Sequence, residues 1–108
     1  MTNKLNPYQD HEILEIEIFK IDEDSGYDFK IMIFIYKNNM VFVANDSGCS
    51  CMYPFEYYEG NSWEDIEPLL ERVGTVSQGL QSLDSWRNNY KCTIEDRMNV
   101  EKWLGARL

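Results

Sequence analysis

The stretch that decides the fold is residues 27–36, which read YDFKIMIFIY. Every second residue from Phe29 to Ile35 is apolar, whereas the intervening positions start polar at Asp28 and become apolar towards Tyr36. An alternation with a period of two predicts a β-strand. The apolar end of its second face predicts that a helix or a second copy of the chain covers it. The oligomeric state therefore stays open at this point.

The residues around this strand complete a predicted antiparallel meander. Residues 12–21 alternate apolar with charged side chains and predict a preceding strand, and residues 22–26 form a turn between the two. Residues 37–39 predict a hairpin turn, because asparagine tolerates the positive φ angles that such turns need. Residues 40–45 predict a third strand that ends at Asp46. We expect a sheet of three strands or slightly more.

Beyond residue 60 the apolar spacing becomes helical. Ser62 predicts the start of a helix that ends at Gly74, and Pro68 is expected to kink it or to end its first part. A second helix is predicted over residues 76–88, and a third follows Thr93, so that the helical region spans residues 62–106. Strands followed by helices predict one α+β domain over residues 1–108, with two to three helices packed on one face of the sheet.

Residues 46–60 fit neither pattern and predict a long ordered loop. Loops of this length in small domains are usually functional or disordered, and the aromatic residues here argue against disorder. We expect Asp46 to accept hydrogen bonds from nearby backbone N–H groups in a tight turn. Cys49 and Cys51 would then be small buried residues, and the aromatic side chains from Tyr53 onward would lie over the sheet edge. Packing alone is one interpretation of this loop.

Two chemical interpretations of the loop stay open beside packing. A tetrahedral zinc site needs four ligands, and the chain offers only four strong ones, namely Cys49, Cys51, Cys92 and His11. A reactive or redox-active cysteine needs a neighbouring base or cation, whereas the charged residues of the loop are all acidic. The sequence also has no nucleophile-elbow, phosphate-loop or dinucleotide-binding motif. We therefore predict no catalytic residue, no cofactor and no enzyme activity.

The charge of the chain points to its class of partner. The 19 acidic and 10 basic residues give a formal net charge of −9. Nucleic acids and anionic membranes bind clustered cations, so neither is an expected partner. Residues 1–72 contain 15 of the acids and 5 of the bases, whereas residues 73–108 contain 4 acids and 5 bases. We therefore expect a protein partner with a basic surface, approached with electrostatic steering.

The cysteine count and the start of the chain predict a compartment. Three cysteines are an odd number, whereas disulfide-stapled secreted domains usually carry an even one. The first ten residues are polar and do not resemble a secretion signal. We therefore expect a cytoplasmic protein with reduced thiols.

A resemblance adds an expected origin. The run ANDSGCSC of residues 44–51, followed by Pro54, Phe55 and Glu56, resembles the D-S-G-C-S-C-x-x-P-F-E loop of small bacteriophage-encoded proteins of uncharacterised function. The resemblance covers residues 27–73, including an acidic and apolar helix start at Trp63, and leaves out the C-terminal third. It implies a phage or prophage origin and action in the cytoplasm of the infected bacterium, and it supplies no activity.

The loop and its resemblance together define the predicted binding residues. These are Asp46, Ser47, Gly48, Cys49, Cys51, Tyr53, Phe55 and Glu56. The expected function is a non-catalytic, acidic protein-binding domain that inhibits a host enzyme or defence component. The alternative is a small-ligand or metal-binding domain that uses the loop from Cys49 to Glu56.

Overall fold

A four-stranded antiparallel sheet lies at the centre of the fold in a computed structural model, which describes residues 4–22, 28–49, 53–87 and 94–108. The strands follow the order of the chain across the sheet and are β1 (Glu17–Asp22), β2 (Asp28–Lys37), β3 (Met40–Cys49) and β4 (Glu71–Val73). The α-helices of the described ranges are α1 (Trp63–Ile66), α2 (Val76–Arg87) and α3 (Ile94–Gly105). The α+β class is confirmed, and the sheet has four strands rather than three.

Strand β2 is apolar on both faces, and both faces are buried. Its residues from Ile31 to Ile35 are at most 3% exposed. Ile31, Ile33 and Ile35 belong to one apolar cluster, which we call the front core. Met32 and Phe34 belong to a second cluster on the opposite face, the back core. The predicted alternation is confirmed, and α2 and α3 of the same chain cover the second face.

The front core is covered by two segments that are far apart in sequence. Residues 4–16 and 53–70 pack on this face of the sheet, and we call them together the front layer. Their most deeply buried side chains include Leu14, Phe55 and Ile66. Helix α1 lies in this layer, on the opposite face of the sheet from α2 and α3. The sequence predicted that the helices would share one face.

The back core is covered by α2 and α3, which we call the back layer. Leu83 of α2 and Val100 and Leu104 of α3 have no exposed surface. Both helices occupy the predicted regions. The expected cap of the third helix, Thr93, lies outside the described residues, as do residues 23–27 of the first turn. In the parts of the chain that the structure describes, no helix is long and apolar enough to cross a membrane.

Strand β1 is shorter than predicted, because the expected strand from residue 12 has nothing to pair with at its start. Glu17 pairs with Tyr36, the last residue but one of β2. The residues before Glu17 form turns instead, and Glu15 adopts a left-handed φ of 56°. The hairpin between β2 and β3 is confirmed, since Asn38 and Asn39 both have positive φ, as a type I′ turn requires.

Strand β3 is longer than predicted and takes in the start of the expected loop. It continues to Cys49 because β2 begins as early as Asp28, and Cys49 pairs with Asp28 in the ladder. Asp46 lies opposite Ile31 in the same ladder. The predicted tight turn at residues 46–48 is therefore wrong, and the connection to α1 begins after Cys49.

The first predicted helix breaks into three short elements. Helix α1 ends at Ile66, a 3₁₀ turn follows over Glu67–Leu69, and β4 then pairs with residues 41–43 of β3. The prediction that Pro68 ends the first part of the helix is confirmed, since proline lacks the N–H that a continuing helix needs. The prediction of helix up to Gly74 is wrong, because pairing with the edge of β3 replaces it.

We expect Gly79→Ala to lower the free energy of unfolding by about 1–2 kcal/mol, although alanine favours helix. A Cβ at this position would lie 2.4 Å from Cδ1 of the buried Leu104 and 3.3 Å from Cγ1 of Val73. The matched control is Gly105→Ala, because a Cβ there meets no atom within 4 Å. Urea denaturation measures both, and a Gly79→Ala protein as stable as the wild type would contradict this packing.

Candidate functional site

The buried side chain of Asn6 fixes the loop that carries the predicted binding residues. Asn6 is 1% exposed. Its Nδ2 donates hydrogen bonds to the carbonyl oxygens of Phe55, at 2.7 Å, and Pro54, at 3.0 Å. Leu5 and Gly60 add a two-way backbone bridge between the same two segments. The two parts of the front layer are therefore joined by hydrogen bonds as well as by packing.

Asn6 also caps a turn of helical geometry in its own segment. Its Oδ1 accepts hydrogen bonds from the N–H groups of Tyr8, at 2.8 Å, and Gln9, at 3.1 Å. Asp10 accepts one from the N–H of Asn6 at 2.8 Å. This is the geometry of a helix N-cap, and Pro7 occupies the position that proline prefers. Asn6 was not among the residues predicted from the sequence, although Asn-Pro followed by an acid is a recognisable N-cap signal.

Asp46 holds the loop from the sheet side. Its Oδ2 accepts a hydrogen bond from the N–H of Phe55 at 2.7 Å, and its Oδ1 accepts one from the N–H of Ser47 at 2.9 Å. The expectation that Asp46 accepts backbone N–H groups is confirmed, but from a strand rather than from a turn. One of its two donors lies nine residues further along the chain.

Phe55 lies where the two sets of hydrogen bonds meet. Both its N–H and its carbonyl are bound, by Asp46 and Asn6 respectively. Its ring has no exposed surface and lies 5.6 Å from the rings of Tyr8 and Tyr58. Its φ is 65°, which is unfavourable for a residue with a side chain. Phe55 is therefore a core residue that pins the loop to the sheet.

The other predicted binding residues are spread over different environments. Tyr53 is partly exposed and donates a hydrogen bond to Glu59 at 2.8 Å, and this bond raises the pKa of Tyr53. Ser47 and Gly48 lie within β3, and Glu56 begins a 3₁₀ turn. Cys51 lies outside the described residues.

The cysteine chemistry differs from the expectation of reduced thiols. Cys49 is disulfide-bonded. A sulfur in a disulfide is neither a nucleophilic thiolate nor a metal ligand. Two of the other three residues of the zinc alternative, Cys51 and Cys92, lie outside the described ranges. Within those ranges, no group of three or more His, Cys, Asp or Glu side chains could hold a metal ion.

Charge is divided unequally between the two layers that cover the sheet. The front layer contains eight acidic residues and one basic residue, Lys4. The two helices of the back layer contain four acidic and three basic residues, and some of these pair, as Asp84 does with Arg97 at 2.5 Å. The excess of negative charge therefore lies on the front side of the sheet.

The front layer also exposes apolar and aromatic side chains. Tyr57 is 73% exposed and Ile13 is 68% exposed, and Tyr53 and Leu69 are partly exposed as well. Large apolar groups next to uncompensated charge are a usual composition for a surface that binds another protein. The hydrogen bonds of Asn6 and Asp46 join the two segments of this layer to each other and to β3.

The family to which the chain belongs is described as "Domain of unknown function (DUF7574)", and its match spans residues 2–104. The chain belongs to this family. Comparisons with curated proteins and with solved structures found no match. The match takes in both segments of the front layer and both helices of the back layer up to residue 104. The layered architecture therefore falls within one family domain.

We expect Asn6→Ala to lower the free energy of unfolding by about 3 kcal/mol, because the substitution removes four hydrogen bonds to backbone groups that are buried or partly buried. Asn6→Asp keeps the oxygen that caps the turn but cannot donate to the two carbonyls. We therefore expect Asn6→Asp to lower the free energy of unfolding by most of the amount that Asn6→Ala does. The exposed Asn99→Ala on α3 is the control and should change stability by less than about 0.5 kcal/mol. Equal effects of Asn6→Ala and Asn99→Ala in urea denaturation would contradict the role of Asn6.

We expect Tyr58 to make stability fall at high pH. Burial raises the pKa of Tyr58, and the nearby Asp46 carboxylate raises it further. The unfolded chain therefore loses the hydroxyl proton of Tyr58 at a lower pH than the folded chain does. The contribution of Tyr58 to the free energy of unfolding is complete below about pH 10 and is lost as the pH rises towards the folded pKa. The stability difference between wild type and Tyr58→Phe should narrow between pH 8 and about pH 11 in denaturation curves. A stability difference that stays constant over this pH range would contradict this role of Tyr58.

Proposed function

We propose that this chain is a non-catalytic protein-binding domain of phage or prophage origin, which binds the basic surface of a host enzyme or defence component and inhibits it. One observation carries the proposal, namely the separation of charge between the two layers. Eight acids against one base lie in the front layer, whereas the back layer carries four acids against three bases. A net charge that served solubility alone would not need this separation.

The composition of the front layer supports a protein as the partner. Exposed acids such as Glu12, Glu15 and Glu64 attract a basic surface over a distance, which raises the rate of encounter. Exposed Tyr57 and Ile13 provide apolar contact area once the surfaces meet. Charge alone gives steering and specificity, whereas buried aromatic and apolar groups give most of the affinity.

Inhibition follows from what a basic surface on an enzyme usually does. Such a surface binds an anionic substrate or partner by concentrating positive potential. An acidic protein docked on it would compete for the same charges and exclude the substrate sterically. No side chain of the inhibitor has to react in this scheme, so neither Cys49 nor His11 needs a chemical role.

The proposed origin and place of action rest on the loop motif. Residues 44–56 resemble the loop of small phage proteins, and such proteins act in the cytoplasm of the infected bacterium. Asp46 and Phe55 of this motif position the front layer, as the hydrogen bond between them shows. The motif would therefore preserve the binding surface without itself forming the contact.

The test is affinity capture from bacterial lysate with two variants of equal charge. Glu12→Gln/Glu64→Gln removes two exposed acids from the front layer, and Glu95→Gln/Glu101→Gln removes two exposed acids from α3. We expect the front variant to recover several-fold less of the wild-type partner by quantitative mass spectrometry, and the α3 variant to recover as much as the wild type. Equal losses in the two variants, or no loss in either, would contradict the proposal.

A further inference from the structure

A cavity of about 680 Å³ lies on the back face of the sheet, between α2 and the edge formed by β3 and β4. Its size is within the range of small-molecule sites, about 300–1,000 Å³. Met32 and Val43 provide apolar lining from the sheet, and Asn45 lies beside them. The cavity is on the opposite side of the sheet from the front layer, so it is separate from the proposed protein-binding surface.

The wall of the cavity that α2 provides is polar. Gln78, Gln81, Ser82 and Ser85 all line it. Their spacing of three, four and seven residues places them on one face of the helix, and Gln78, Gln81 and Ser85 are exposed. A second stripe of α2, which includes the fully buried Leu83, packs in the back core instead. The cavity-facing stripe therefore consists of neutral amide and hydroxyl groups and does not fill the core.

Several of these polar groups have hydrogen-bonding capacity to offer a ligand. No other described residue forms a hydrogen bond with the side chains of Asn45, Gln81 or Ser85. Each amide can donate and accept, and each hydroxyl can do both as well. Trp86 adds a half-buried indole to the same lining. The cavity thus combines paired donors and acceptors with one large aromatic surface.

The charges of the lining favour an uncharged ligand. Glu71 and Arg72 are its only charged residues in the described part of the chain, and their charges are opposite. A phosphate or carboxylate ligand would meet Glu71 as well as Arg72, and a metal ion would find a single carboxylate. A fully apolar ligand would leave the amides and hydroxyls without water or partners, which costs free energy.

We propose that this cavity binds a neutral sugar of one or two pyranose rings. The C–H face of a ring packs on the indole of Trp86, since aromatic rings accept such contacts. The ring hydroxyls exchange hydrogen bonds with the amides of Asn45 and Gln81 and with the hydroxyl of Ser85. Hydroxyls are donors and acceptors at once, which matches the amide and hydroxyl lining better than it matches a purely accepting anion.

The test is a titration of the ¹⁵N-labelled full chain, followed by NMR, with maltose, cellobiose and N,N′-diacetylchitobiose as the sugar probes. Adenosine and inorganic phosphate are the competing classes. We expect at least one disaccharide to cause saturable shifts of the Trp86 indole N–H and of the side-chain amides of Asn45 and Gln81. Gln81→Ala/Ser85→Ala should weaken that binding roughly tenfold. Ser77→Ala, an exposed serine of the same helix outside the cavity, should bind as the wild type does.

Three results would overturn the inference. The first is that none of the three disaccharides shifts these signals saturably. The second is that Gln81→Ala/Ser85→Ala binds the sugar as tightly as Ser77→Ala, with both variants folded by their amide spectra. The third is that adenosine or phosphate binds the cavity more tightly than every sugar probe. None of these results bears on the front layer, so the proposed function and this inference fail independently.

Discussion

The architecture depends on one strand that is apolar on both faces. Between Ile31 and Ile35, β2 presents side chains to two cores at once, and each core has to be closed by its own layer. Burial of each large apolar side chain is worth about 1.5–3 kcal/mol, so leaving either face open would remove most of the stability of a domain this small. The helices close the back core. The front core is closed by the N-terminal segment and by the segment between β3 and β4.

The front layer has little regular structure, so specific hydrogen bonds have to hold it in place. Phe55 fills the front core, but its left-handed backbone costs about 1–2 kcal/mol, comparable to what burial of its ring returns. Its N–H donates to Asp46 and its carbonyl accepts from Asn6, and these hydrogen bonds stabilise the conformation in which the ring is buried. The acidic groups of the layer are displayed on a surface that is fixed in this way.

The sequence was informative where local pattern decides the structure and misleading where tertiary pairing decides it. The alternation of β2, the Asn38-Asn39 turn and the stop at Pro68 are local features, and each was predictable. Strand β4 was not, because Glu71–Val73 continues the helical spacing from α1 and becomes a strand only by pairing with β3. For the candidate site, Asp46 was predictable as an acceptor of N–H groups, but its donor at Phe55 was not, since their proximity exists only after folding.

The proposed function rests on the division of charge between the front layer and the back layer. The measurement that tests it most directly is the association rate constant with the captured partner as a function of ionic strength. If the front layer steers the encounter, the rate constant falls by at least tenfold between about 20 and 500 mM salt, while the dissociation rate changes much less. An association rate constant that stays the same over this range would contradict the account.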